Sequence, residues 1–178
     1  MESTKHSLAT PIKLGVIIGL VYCIFIFMEN QIFYANPIGF SASKLLFYLL
    51  VIGGLFYAGF LYRKELGGYI SFKELLGGLL ISILIIELIY LIFSTAYVKY
   101  IEPTFIDKLK RTWLAYFTSH NVPQDKINDA MKKFDDAGVI TLGTLVRSYG
   151  FSIIIDAIFA IIIAGILRKK KPQFEVQS

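Results

Sequence analysis

The stretch "ISILIIELIYLIF", residues 81–93, reads as hydrocarbon with one acid at its centre, Glu87. It lies inside a longer apolar run, about residues 74–98, that is long enough to cross a bilayer: spanning some 30 Å takes roughly 20 helical residues at 1.5 Å each. Three further runs meet the same requirement, at about residues 12–34, 44–62 and 142–167. The rest of the composition agrees. Of 178 residues, 56% are hydrophobic and 17% charged, and the mean hydropathy is +0.63, far from the balance of a soluble domain. The apolar residues fall in blocks rather than at the helix or strand periods of a water-facing core. The chain is expected to be an all-α bundle of four transmembrane helices, a single membrane domain over residues 1–178.

The first run follows Lys5, His6 and Lys13 as a secretory signal would, but its apolar core is too long for a cleaved signal and lacks a small-x-small cleavage site. It reads as a retained helix. Cys23, the single cysteine, lies inside that run, so no disulfide forms within the chain.

With four spans, both termini share a side with the turn between spans two and three. Cations are equally numerous on the two sides, but their placement differs. "RKKK" (Arg168, Lys169, Lys170, Lys171) abuts the fourth span, and Arg63 and Lys64 abut the second. Most cations of the other side are interleaved with acids in one segment, residues 99–141. Clusters that abut span ends mark the cytoplasmic side, so both termini are expected in the cytoplasm of a bacterial inner membrane. Arg63, Lys64 and the 168–171 run act as topology anchors, and the latter also suits anionic lipid headgroups.

Residues 99–141 carry helical periodicity of their own. Phe105, Ile106, Leu109, Trp113, Tyr116 and Phe117 form one apolar face, and Ile127, Met131 and Phe134 form another. Pro103 and Pro123 suit helix starts, and Gly138 suits a stop. An extracytoplasmic helical hairpin is expected between spans three and four. Its apolar faces either pack on each other and on the span ends or, through Trp113, Tyr116 and Phe117, rest at headgroup level.

Two acids mark the membrane interior. Glu87 sits near the middle of the third span and Asp156 near the middle of the fourth, and these spans are antiparallel, so the acids share a depth. On the face of Glu87, toward the outside, come Tyr90 and Ser94; on that of Asp156, in the same direction, come Ser152 and Tyr149. Such acids face the bundle interior, pair, or stay protonated. No Lys, Arg or His lies within two turns of that depth, which leaves Glu87 and Asp156 with each other, sharing one proton, or with tyrosine and serine hydroxyls, water or a cation. Two readings follow: polar glue between helices, or a path for a proton or cation. Arg147 is nine residues from Asp156 and half a revolution round the helix, out of its reach. A Glu29–Arg147 ion pair is expected instead.

Signals for chemistry are otherwise lacking. His6 and His120 lie outside the spans, and no metal-ligand spacing, nucleophile elbow or phosphate loop is present. No enzymatic activity, cofactor or metal is expected. The net charge of +5 resides at membrane borders, so it does not mark a nucleic-acid partner. Small residues mark helix contacts: Gly15 and Gly19 in the first span, Gly54 and Ala58 in the second, Ala157, Ala160 and Ala164 in the fourth. Whether the contacting helix belongs to this chain or to another stays open.

The turn "YRKELGGYISFKELLGG", residues 62–78, has a direct physical reading. Gly67 and Gly68 permit a tight reversal, Ser71 and Glu74 form a capping box, and Arg63 and Lys64 hold the end of span two at the headgroups. It also resembles the domain of unknown function 4199 family, small four-span bacterial membrane proteins, and the likeness in length, spans and pre-span helical segment covers the whole chain. The resemblance implies a multi-pass inner-membrane protein without catalytic residues to transfer. It also implies an accessory role beside a lipid-linked glycosyltransferase in envelope glycan assembly, with another membrane protein or a second copy as partner. The alternative drawn from the residues is a small proton- or cation-coupled transporter or channel using Glu87 and Asp156.

Overall fold

The computed structural model describes residues 8–138 and 141–170, and among them six α-helices follow one another. They are α1 (Ala9–Ile32), α2 (Pro37–Glu65), α3 (Phe72–Ala96), α4 (Phe105–Ser119), α5 (Gln124–Gly138) and α6 (Leu142–Leu167). Helices α1, α2, α3 and α6 are the four that are long and apolar enough to cross a membrane. The all-α bundle expected from the hydrophobic blocks is the fold observed, and no β-strand occurs among the described residues.

Helix α2 starts well before its apolar block. Asn36 accepts a hydrogen bond from the Gly39 amide at 3.1 Å, and Pro37 occupies the first turn, where its missing N–H costs nothing. This cap draws "PIGFSAS" into the helix, so Ser43 and Lys44 sit inside α2 rather than at its edge. Helix α3 likewise runs on, through π-helical turns at Tyr97–Ile101 that close with the Glu102 amide on the Tyr97 carbonyl at 2.8 Å.

Helix α3 packs against α1, α2 and α6. Gly15 and Gly19 make the approach of α1 close: a Cβ on Gly15 would lie 2.9 Å from the Ser82 carbonyl oxygen. The G-x-x-x-G pair therefore serves a contact within the chain. The Ser82 hydroxyl ties the same helices together by donating to the Pro11 carbonyl at 2.8 Å.

Apolar packing divides into two clusters. One fills the end of the bundle that carries the termini, with Leu55 and Tyr62 of α2, Leu75, Leu79, Ile83 and Ile86 of α3, and Ala160, Ile163 and Ala164 of α6. The other, Phe40, Tyr97, Phe105 and Leu109, closes the opposite end beneath α4 and α5.

At the terminal end, the turn between α2 and α3 does more than reverse the chain. Gly67 and Gly68 take φ of +78° and +86°, a region that favours glycine. Ile70 then pairs with Lys169 through both backbone hydrogen bonds, 2.9 and 3.1 Å. The Arg63 guanidinium donates to the Leu167 carbonyl at 3.1 Å, satisfying a free group at the end of α6. The expected Ser71–Glu74 capping box is present.

At the other end, α4 and α5 form the expected hairpin. Lys110 pairs with Asp135, and Trp113 meets Phe134 with centroids 6.4 Å apart. The start of the α4 apolar face lies on the span ends, where Phe105 meets Tyr97 edge-on at 5.4 Å. Of the two covers expected for these faces, packing is the one observed for Phe105, Leu109 and Trp113. Residues 139–140 of the expected 99–141 segment lie outside the described residues.

Candidate intramembrane polar site

Between the two apolar clusters lies a polar layer. Glu87 and Asp156 are 6% and 4% exposed, and they face each other within side-chain interaction range, with Ser152 beside Glu87. The shared depth read from the sequence thus becomes a meeting of the side chains. The phenol of Tyr48 on α2 donates to Asp156 Oδ1 at 2.5 Å. Tyr22 of α1 stands against Tyr90 of α3, ring centroids 5.4 Å apart. All four spans therefore send a polar side chain to this layer.

Tyr22, Tyr48, Tyr90, Glu87, Ser152 and Asp156 surround a cavity of about 250 Å³. A second, of about 240 Å³, extends from Glu87 and Ser152 past Tyr90 and Ser94 to Tyr149. Ser152, Tyr149, Tyr90 and Ser94, the stripe expected on α3 and α6, thus line one continuous space that leads from Glu87 toward the hairpin end. Two members also hold backbone: the Tyr149 hydroxyl donates to the Leu84 carbonyl at 3.1 Å, and the Ser94 hydroxyl donates to Leu91 at 3.2 Å. Toward the terminal end the layer is floored by Ile83, Ile86 and Ala160, each at most 1% exposed.

Tyr22 and Tyr48 were not among the residues singled out from the sequence. Tyrosines inside apolar runs draw no notice, but each sits close to the depth of Glu87 when helices are aligned by their midpoints. That register was the signal available.

Glu29 does not meet Arg147. Arg147 is exposed on α6, which packs on α3 and α2, whereas α1 packs on α3 and α2 from elsewhere round the bundle. Depth along the axis had allowed the pair; the helix arrangement separates it. Glu29, 0% exposed, instead accepts from the Ser43 hydroxyl at 3.2 Å. Arg63 and Lys169 among the expected anchors hold the terminal-end turn as described, Lys64, Arg168 and Lys170 are exposed, and Lys171 lies outside the described residues. No group of three or more His, Cys, Asp or Glu that could hold a metal occurs among the described residues.

The family model described as protein of unknown function DUF4199 matches residues 13–169. The chain belongs to this family. The match takes in all of the first span but its opening turn, the other three spans, the Gly67–Gly68 turn and the hairpin, so the polar layer of this DUF4199 protein lies wholly within the family region. No curated protein and no solved structure matches the chain.

Proposed function

We propose that this DUF4199 protein is a non-enzymatic, multi-pass protein of the bacterial inner membrane, with both termini cytoplasmic, that takes up protons from the extracytoplasmic side on Glu87 and Asp156 as a small proton-coupled transporter. The observation that carries the reading is a pair of neighbouring cavities that share Glu87, Tyr90 and Ser152 as lining, one against the acid pair and the other extending past Ser94 toward the hairpin end. Acids, phenols and hydroxyls are the groups that pass protons, and buried acids in spans are functional candidates. The buried floor of Ile83, Ile86 and Ala160 closes the site toward the terminal end. Reconstituted in liposomes under a pH gradient, the protein should carry a flux that Glu87→Gln abolishes while the helical content is kept. A flux equal in the two proteins would sink the proposal.

A second reading is favoured by a separate observation. Gly53, Gly77 and Gly165 open on the outside of the bundle, with nothing within 4 Å of a Cβ placed there, and small residues let another transmembrane helix approach closely. On this reading the protein is an accessory subunit of a membrane enzyme handling lipid-linked glycans, or self-associates. Affinity purification from native membranes should then bring down a glycosyltransferase or a second copy, and Gly53→Ile should release it. Purification of the single chain alone would exclude it.

A further inference from the structure

At the hairpin end a third cavity, of about 340 Å³, lies between the spans and the covering helices, and its walls are of two kinds. Phe40, Tyr97, Phe105 and Leu109 give it an apolar side; Glu29, Asn30 and Lys44 give it a polar one. Glu29 has no exposed surface. One of its carboxylate oxygens accepts from Ser43, and the other, Oε2, is buried without a hydrogen-bond partner. A buried acceptor left unmade costs about 1–3 kcal/mol, and more when charged, so Oε2 calls for a donor from within the cavity. Lys44 feels the Glu29 charge but forms no ion pair with it among the described residues; its ammonium rests 4.3 Å from the centroid of the Phe40 ring. The cavity thus presents an unsatisfied acid and an unpaired cation.

That pairing selects its ligand. A simple cation would satisfy Glu29 and be repelled by Lys44, and a simple anion the reverse. A group with an N–H cation at one end and a phosphate anion at the other satisfies both. A quaternary ammonium carries the charge but has no proton for Oε2, whereas a primary ammonium supplies one. The volume is at the low end of the range for small-molecule sites, about 300–1,000 Å³, which suits a headgroup and leaves acyl chains outside. The site lies near the C-terminal end of α1 and the N-terminal end of α2, where headgroups are met, and Leu45 and Leu49 expose an apolar surface on α2 alongside Lys44.

We propose that the cavity between Glu29 and Lys44 binds a phosphoethanolamine group, its primary ammonium donating to Glu29 and its phosphate facing Lys44. The ligand is either a phosphatidylethanolamine headgroup or free phosphoethanolamine. The test uses the purified full chain. Native mass spectrometry after incubation with phosphatidylethanolamine, phosphatidylcholine and phosphatidylglycerol should show the first retained about tenfold better than the other two, the effect of one charge-assisted hydrogen bond. Glu29→Gln should level phosphatidylethanolamine with phosphatidylcholine and favour phosphatidylglycerol, since Lys44 then acts alone. Lys44→Gln should lower retention of phosphatidylethanolamine to a similar degree, and it serves where Glu29→Gln does not fold. Thermal stabilisation by free phosphoethanolamine, with the three lipids retained equally, would keep the site and assign it to the soluble ligand. Equal retention of the lipids with no response to phosphoethanolamine overturns the proposal, as does a preference unchanged in both variants.

Discussion

A charged carboxylate at the bilayer centre costs at least about 2.5–3.5 kcal/mol, and Glu87 and Asp156 meet that cost by meeting each other. The hydrogen bond from Tyr48 to Asp156 at 2.5 Å satisfies one carboxyl, and Ser152 lies beside the other. Substitution at position 87 therefore separates the roles of the acid. Glu87→Gln retains size and hydrogen-bonding atoms and should leave the melting temperature in detergent close to wild type. Glu87→Leu removes the polar neighbour of Asp156 and should lower stability by about 1–3 kcal/mol; an unchanged melting temperature there would mean that the pair ties no helices together. The two acids were legible in the sequence because a charge inside an apolar run stands out. The phenols of Tyr22 and Tyr48 were not, because an aromatic in a span is equally at home in lipid, and only the register of four helices sorts it inward.

At the scale of elements, the hairpin is the part whose position had to be found rather than read. Its two helices follow from apolar spacing and from proline and glycine at their ends, but amphipathic spacing is silent on which surface an apolar face covers. What fixes α4 is a short polar chain at its start. Gln31 donates to the Tyr97 hydroxyl at 3.2 Å, and Tyr97 donates to Glu102 at 2.7 Å. Lys108 of α4 donates to the same carboxylate at 2.5 Å. The Lys108 ammonium, and after it the Tyr97 hydroxyl, hold the Glu102 carboxyl below the ordinary glutamate range. A carboxyl depressed in the folded state adds stability that is complete above its unfolded-state value and disappears as the pH falls through the lower folded-state one. The docking of α4 should accordingly weaken below roughly pH 4, read as faster amide exchange across residues 105–119 with the spans unaffected. Glu102→Gln should remove that pH dependence and cost under about 1 kcal/mol at neutral pH, as a partly exposed pair does. Exchange that is equally pH-dependent in the variant would assign the effect to other carboxyls of the hairpin.

The whole molecule has opposite characters at its two ends. The terminal end is tied by backbone pairing of Ile70 with Lys169 and by Arg63 on the last carbonyl of α6. The sequence showed a glycine turn and a basic run there, and it could not show that they touch, because pairing between residues 70 and 169 has no local signature. The cavities lie in the middle layer and at the hairpin end, so the direction in which the chain crosses the membrane decides which compartment the acids answer to. Cationic residues at both ends make a count indecisive, whereas direct labelling is not. Cys23 is 8% exposed, its thiol against the Ile89 carbonyl at 4.0 Å, so the native chain should stay silent to a maleimide that cannot cross membranes. With cysteine placed at Ser119, the exposed last residue of α4, intact cells should label; with cysteine at Lys64, in the last turn of α2, they should label only after the membrane is opened. The opposite pattern would put the cavities on the cytoplasmic side, and proton uptake by Glu87 and Asp156 would then run from the cytoplasm.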